Sequence, residues 1–202
     1  MGDLLLLIFQ LIVLIFSVII HEVSHGLIAY RLGDNTAKDK GRLNLNPVNH
    51  LDLFGSFILP FSLYFLSGGS FVLGWAKPVP YNPMNLKNPK SGGGLIALAG
   101  PLSNLILAII ASILLKIGIL SSFINPVFLQ IIVVINISLM IFNLVPIPPL
   151  DGSKILFSIL PNKLSYLQYS LERYGWWLII AFLLFGFSFI VPIIYWVTNI
   201  LV

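Results

Sequence analysis

The sequence predicts an all-α polytopic membrane protein with about four transmembrane helices, one re-entrant or interfacial segment and short strand-like loop elements. Hydrophobic residues make up 58 % of the 202 residues, and charged residues make up only 9 %. Soluble domains carry about a quarter charged residues, so this chain has too few polar groups to face water on all sides. Its apolar residues also fall into runs of about 20, which is the length of a helix that crosses a bilayer.

Four apolar runs are long enough to cross a bilayer, and a fifth is shorter. We predict spans at about residues 4–30, 95–119, 125–147 and 174–201. The fifth run, residues 51–66, is interrupted by Pro60, which favours a re-entrant or interfacial path. No linker or repeat divides the sequence, so we expect residues 1–202 to form a single intramembrane domain.

The polar segment after the first span contains one candidate strand. Leu43 and Leu45 alternate with polar residues, which is typical of a short strand. Such a strand could pair with an extended substrate by edge addition.

Cysteine content and charge exclude several functions. There is no cysteine, which excludes disulfides and cysteine-based metal or redox chemistry. The net charge is +4, but no basic run is interleaved with aromatic residues, so a nucleic-acid partner is not expected.

The first apolar run ends in His21-Glu22-Val23-Ser24-His25, the H-E-x-x-H pattern. Positions i and i+4 share one face of a helix, so both imidazoles can bind one Zn²⁺ while the glutamate acts as general base on an activated water. In soluble helices the pattern is often only a solvated face. Ionisable residues inside an apolar span are expensive, and they usually mark a functional site.

A catalytic zinc site usually has three protein ligands, so a third must come from elsewhere in the chain. Of the other acidic residues, Asp151 is the best candidate, because it follows the proline-rich end of a span at Pro146 to Pro149. Unwound backbone at membrane depth is tolerated where it lines a cavity. The alternative is that Asp151 is the N-cap of the helix that begins at Ser153.

Three motifs in order make the chain resemble the site-2 proteases, which are intramembrane zinc metalloproteases. The motifs are His21-Glu22-x-x-His25, Gly100-Pro101-x-x-Asn104 and Asn143-x-x-Pro146-x-x-x-x-Asp151-Gly152. The resemblance implies that one Zn²⁺ per chain is held by His21, His25 and Asp151, and that Glu22 is the base. It also implies that Asn143 orients the substrate or stabilises the oxyanion. The chain resembles a minimal member, without a PDZ or nucleotide-sensing domain.

Three further residues are candidates for substrate binding or for supporting the metal site. Gly100 permits close helix approach, and Asn104 lies one turn later and could bond a neighbouring helix. His50 is either a surface or interface group or a further metal or supporting residue.

Topology imposes a condition on the site. His25 and Asp151 both lie near the C-terminal ends of their segments, so these segments must be parallel if both bind one ion. Residues 51–66 therefore should not cross the membrane. With four spans, all the cations except Lys116 fall on one side of the membrane. This predicts a protein of the cell (inner) membrane whose active site faces the cytoplasm.

We therefore expect an intramembrane zinc endopeptidase that cleaves transmembrane or membrane-anchored proteins within the lipid bilayer. A membrane transporter of metal or other ions, an inactive scaffold homologue and a hydrolase acting on lipid are the alternatives. The glutamate between the two histidines favours hydrolysis, since a simple binding site needs no base beside its metal.

Overall fold

Helices form nearly all the regular structure of the protein. The computed structural model describes residues 2–58, 62, 65, 76–118 and 125–202. The helices are α1 (Gly2–Arg31), α2 (Thr36–Asp39), α3 (Pro47–His50), α4 (Pro89–Ile117), α5 (Pro126–Asn143), α6 (Asp151–Ile159), α7 (Ser165–Ala181) and α8 (Phe187–Leu201). Two π-helical segments, Leu53–Ile58 and Phe182–Gly186, and two short 3₁₀ turns, Pro83–Asn85 and Asn162–Leu164, complete the described elements.

Four helical segments are long and apolar enough to cross a membrane, which confirms the predicted polytopic all-α class. They are Leu4–Arg31, Pro89–Ile117, Pro126–Asn143 and Asn162–Leu201. The last segment has 40 residues and would be about 60 Å long at 1.5 Å per residue. A bilayer core is about 30 Å thick, so only part of this segment crosses it.

Asparagine followed by proline sets the start of α4 and α5. The side chain of Asn88 accepts a hydrogen bond from the Ser91 N–H, and that of Asn125 accepts one from the Val127 N–H. Proline in the first turn loses no hydrogen bond, because those N–H groups lack helical partners. The cap at Asn88 starts α4 six residues before the predicted position, Leu95.

The contacts between helices define their directions. Phe9 and Phe128 stack edge-to-face with 4.7 Å between ring centroids, at the starts of α1 and α5. Toward the C-terminal end of α1, His25 contacts Asp151, which follows the C-terminal end of α5. Helices α1 and α5 are therefore parallel.

Helix α4 is antiparallel to α1, because His25 contacts Ile96 whereas the earlier residue Ser17 contacts the later residue Asn104. The C-terminal end of α1 and the N-terminal end of α4 also share a cluster that includes Ala29, Leu86 and Ile96. The chain between these helices therefore begins and ends at the same end of the bundle. Of the predicted re-entrant or interfacial segment, residues 51–66, the structure describes residues 51–58, 62 and 65, and Leu53–Ile58 form a π-helical segment. Its remaining residues lie outside the described part of the chain, so its path relative to the membrane stays a prediction.

The predicted strand at Leu43 to Leu45 is wrong: Leu43 and Asn44 form a bend, and the described parts of the chain contain no strand. The Asn44 Oδ1 accepts the Asn46 N–H at 2.9 Å, and its Nδ2 donates to the Gly41 carbonyl. Local side-chain bonds of this kind compete with strand pairing and favour a turn. Edge addition of a substrate at this segment therefore loses its structural basis.

Candidate metal centre

The two histidines lie inside the helix bundle on one face of α1. His21 is 6 % exposed and His25 is 8 % exposed, and their ring centroids are 4.7 Å apart. At 1.5 Å per residue they lie about 15 Å and about 9 Å from the helix end at Arg31. Both imidazoles therefore lie within the apolar span.

Hydrogen bonds orient both rings in the same sense. The Nδ1 of His25 lies 2.6 Å from the Ile96 carbonyl oxygen, and the Nδ1 of His21 lies 2.6 Å from the Asn104 Oδ1. A carbonyl oxygen only accepts, so each Nδ1 carries the hydrogen. Each Nε2 is then directed into the centre.

Asp151 meets both of these nitrogens. Its Oδ2 lies 3.0 Å from the His21 Nε2 and 3.2 Å from the His25 Nε2, and the residue is 6 % exposed. Its Oδ1 lies 3.8 Å from the Lys154 Nζ. The N-cap of α6 is Leu150, and Asp151 makes no capping bond, so the alternative role as an N-cap is not the one observed.

The chemistry of these three atoms fits a cation. Burial alone would raise the pKa of Asp151, but interactions with His21 and His25 hold the pKa of this carboxyl well below its usual range. These interactions favour the carboxylate form of Asp151. With each Nδ1 already donating elsewhere, each Nε2 can meet this carboxylate only through a cation, either a proton or a metal ion.

Two glycines allow the centre to close. A Cβ added at Gly100 would lie 2.5 Å from the His21 Nε2 and 2.5 Å from the His25 Cε1. A Cβ at Gly152 would collide with the Leu144 carbonyl oxygen. Gly100 therefore lets α4 approach the imidazoles, and Gly152 lets the start of α6 fold against the end of α5.

Glu22 lies beside the histidines and is held by a loop. The ligand atoms of His21, Glu22 and His25 lie within 4.8 Å of one another. The Oε2 of Glu22 accepts the Val79 N–H at 2.9 Å. Val79 lies between Pro78 and Pro80, which have no backbone N–H. The Val79 N–H is therefore the one backbone donor in residues 78–80.

The structure brings some predicted residues to the centre and leaves others apart. Asn104 contacts His21 directly, and Gly100 lies against both rings. Asn143 ends α5, and its amide donates to the Leu139 carbonyl on its own helix rather than to the centre. His50 is fully buried, but its Nε2 donates to the Asn44 carbonyl at 2.7 Å, and the cluster of candidate ligands among the described residues does not include it.

Sequence reasoning missed two residues of this centre. Val79 reaches Glu22 through its backbone, which no side-chain motif reports. Asn136 lies in the middle of α5 and bonds Asn104, and its only signal was an amide inside an otherwise apolar run.

Comparisons with known proteins identify relatives of this chain. The family described as "Peptidase family M50" matches the chain over residues 120–187, which include Asp151. A protein of Bacillus subtilis named "Putative zinc metalloprotease YwhC" is 38 % identical over 193 residues, covering 92 % of this chain and 81 % of that protein.

A second relative, from Mycolicibacterium smegmatis, is named "Putative zinc metalloprotease Rip2". It is 31 % identical over 144 residues, covering 68 % of this chain and 52 % of the relative. No solved structure matches the chain. The chain is thus an integral membrane protein and a zinc metalloprotease, and it belongs to peptidase family M50, the site-2 protease family.

Proposed function

We propose that the protein is an intramembrane endopeptidase that hydrolyses peptide bonds in or near transmembrane segments of other membrane proteins. The observation that carries this proposal is that the Asp151 Oδ2 lies within 3.2 Å of both the His21 Nε2 and the His25 Nε2, beside Glu22 on a membrane-spanning helix. Three such atoms with a neighbouring carboxylate form a donor set suited to one catalytic Zn²⁺ per chain.

In this proposal His21, His25 and Asp151 hold the metal. Asp151 fits this role better than Glu22, because its Oδ2 lies against both nitrogens while Glu22 commits an oxygen to the Val79 N–H. When bound, zinc supplies Lewis acidity, which polarises a carbonyl and makes water a nucleophile at neutral pH. Asn143 is the proposed group that orients the substrate or stabilises the oxyanion. To do so, its amide must break its hydrogen bond to the Leu139 carbonyl.

Glu22 is the proposed general base. The Val79 N–H holds one carboxylate oxygen, Oε2, which leaves Oε1 available to take a proton from the attacking water. Glu22 then returns this proton to the nitrogen of the leaving amine, so that the peptide C–N bond breaks and a carboxyl group and an amine form.

The depth of the centre supports a membrane-protein substrate. His21 lies about 15 Å along the helix from Arg31, so a scissile bond must approach within the apolar layer. A helical substrate hides its carbonyl groups in hydrogen bonds, and therefore must unwind locally before cleavage.

Glu22→Gln tests the proposal in native membranes. This variant should retain zinc, lose cleavage and enrich membrane-spanning proteins when captured proteins are identified by mass spectrometry. Glu172→Gln is the matched control, because it makes the same substitution on the exposed face of α7. There the Glu172 carboxylate accepts a hydrogen bond from Gln168. If Glu22→Gln captures no more membrane proteins than Glu172→Gln, the proposed activity is wrong.

The same purified protein separates hydrolysis from transport. In proteoliposomes, the wild type should cleave membrane proteins without moving Zn²⁺ across the bilayer. Zinc flux without proteolysis would instead support the transporter alternative.

A further inference from the structure

Asn136 is a fully buried amide in the middle of α5, with 0 % of its surface exposed. Its neighbours along the bundle are apolar, and the buried residues Val133 and Ile137 on the same helix pack against Ala108 and Ala111. A buried amide is costly unless its hydrogen bonds are made, so the partners of Asn136 indicate what it does.

A backbone carbonyl fixes which way the Asn136 amide points. Its Nδ2 lies 2.9 Å from the Ile132 carbonyl oxygen, which can only accept. The donor end of the amide must therefore face Ile132, and the Oδ1 must face away. This oxygen lies 3.0 Å from the Nδ2 of Asn104 on α4.

Asn136 in turn fixes the Asn104 amide. The Asn104 Nδ2 donates to the Asn136 Oδ1 and to the Ser17 carbonyl at 3.3 Å. A flipped amide would place the Asn104 Oδ1 against two acceptors and leave no donor between them. The Asn104 Oδ1 is thereby directed at His21.

The chain of bonds ends at the His21 ring. The Asn104 Oδ1 can only accept, so the His21 Nδ1, 2.6 Å away, carries a hydrogen. The His21 Nε2 then keeps its lone pair for a metal. The Ile132 carbonyl thus fixes the orientation of the Asn136 amide, which fixes that of Asn104. Asn104 in turn determines which nitrogen of His21 is free to bind a metal.

We propose that Asn136 is a positioning residue that, through Asn104, fixes the tautomer and orientation of His21 for zinc. The proposal rests on the proposed function, because it assigns His21 as a zinc ligand. It extends the centre to a residue on α5 that no motif of the sequence identified, and it makes the packing of α4 against α5 part of the metal site. Partners of this kind typically contribute about 10–100-fold in metal affinity or activity.

Two variants test the proposal, with zinc affinity measured in detergent by competition against a chelator. Asn136→Leu removes the acceptor for Asn104 and should weaken zinc binding about 10–100-fold. Asn136→Asp is the conservative variant, because a neutral carboxylic acid can donate to Ile132 and accept from Asn104. It should bind zinc nearly as tightly as the wild type.

Ile137→Ala is the matched control for lost packing. Ile137 is fully buried on the same helix and packs on α4, but its side chain has no donor or acceptor and so takes no part in the chain of hydrogen bonds. If Ile137→Ala and Asn136→Leu weaken zinc binding equally at equal loss of thermal stability, Asn136 is only structural and the proposal is wrong.

The tautomer of His21 can also be measured in the wild-type protein, so this test does not depend on whether a variant folds. The protein has three histidines, and in the zinc-loaded protein ¹⁵N-histidine NMR should show two rings protonated on Nδ1, His21 and His25. His50 should be protonated on Nε2, because that nitrogen donates to the Asn44 carbonyl, so it serves as an internal reference. A bare Nδ1 on His21 would overturn the proposal.

This design separates two failures. If the wild type binds no zinc and cleaves nothing, the proposed function is wrong, and the ¹⁵N measurement on the metal-free protein still reports whether the His21 Nδ1 carries a hydrogen. If the wild type binds zinc and cleaves but Asn136→Leu matches it, only the role of Asn136 is wrong.

Discussion

At the scale of single residues, the candidate metal centre is so tightly packed that one methyl group should disturb it. The space in front of Gly100 is filled by both imidazoles, and each ring is held from behind, His21 by Asn104 and His25 by the Ile96 carbonyl. The rings therefore cannot easily move aside for a larger residue.

We predict that Gly100→Ala weakens zinc binding by at least about tenfold, because its Cβ displaces ligands that are otherwise held in position. The affinity can be measured by competition with a chelator. Gly93→Ala is the control on the same helix, since the nearest atom to its added Cβ is the Tyr81 hydroxyl at 3.9 Å. Equal zinc affinities for the two variants would contradict the prediction.

Val79 acts on Glu22 through its backbone, so only a proline removes the contact. Val79→Pro should lower turnover about 10–100-fold with zinc content unchanged, because hydrogen bonds to charged groups contribute about 1.5–3 kcal/mol. Val79→Ala keeps the N–H and trims the buried side chain, so it controls for packing. Turnover of Val79→Pro at or above that of Val79→Ala would show that the bond does not position the base.

At the scale of elements, one carboxylate joins the end of α1 to the loop that reaches Glu22. Asp34 is fully buried and accepts hydrogen bonds from the Thr36 N–H and hydroxyl, the Asn82 N–H and the Asn85 amide. Burial alone would raise the pKa of Asp34, but these hydrogen bonds outweigh it and lower the pKa. Asp34 thereby anchors the loop that contains Val79.

This shift predicts how stability depends on pH. The folded pKa of Asp34 lies below the unfolded value, so its stabilisation is present above about pH 4 and is lost as the pH falls through the folded pKa. We expect Asp34→Asn to lower the thermal midpoint in detergent at pH 7, and the difference from the wild type to shrink below about pH 4. A difference that stays constant from pH 7 to pH 3 would contradict this account.

Short turns also decide the position of Asp151. The prolines after α5 end that helix, and Gly152 allows the start of α6 to approach the carbonyl of Leu144. The carboxylate is thus placed beside α1 by seven turn residues and one glycine.

At the scale of the whole molecule, the direction of each helix determines whether the site can form. Helices α1 and α5 are parallel, with α4 antiparallel to α1, so the histidines and Asp151 lie at the same end of the bundle. The opposite end contains the C-terminus of α8, where Lys116 donates to the Ile200 carbonyl.

This arrangement, with the distribution of cations, gives a topology that single cysteines can test. The chain has no cysteine, so each introduced thiol is the only one. Lys40→Cys and Lys163→Cys should react with a membrane-impermeant maleimide from the cytoplasmic side, and Val202→Cys only from the opposite side. Labelling of Lys40→Cys and Val202→Cys from the same side would contradict the proposed topology.

The sequence by itself determined the features that depend on neighbouring residues. Apolar runs predicted the membrane helices, the spacing of His21 and His25 placed both rings on one helical face, and prolines ended the helix before Asp151. The strand predicted at Leu43 failed because asparagine side chains bend the backbone there.

Only the tertiary structure decided which partners these residues meet. The bonds of His21 to Asn104 and of Asn104 to Asn136 join residues that are 83 and 32 positions apart in the chain, so no local pattern contains them. The contact of Glu22 with Val79 depends on a backbone amide, which the side-chain sequence does not report. Local patterns thus predicted which residues are candidates for the chemistry, and helix packing determined what holds each of them in place.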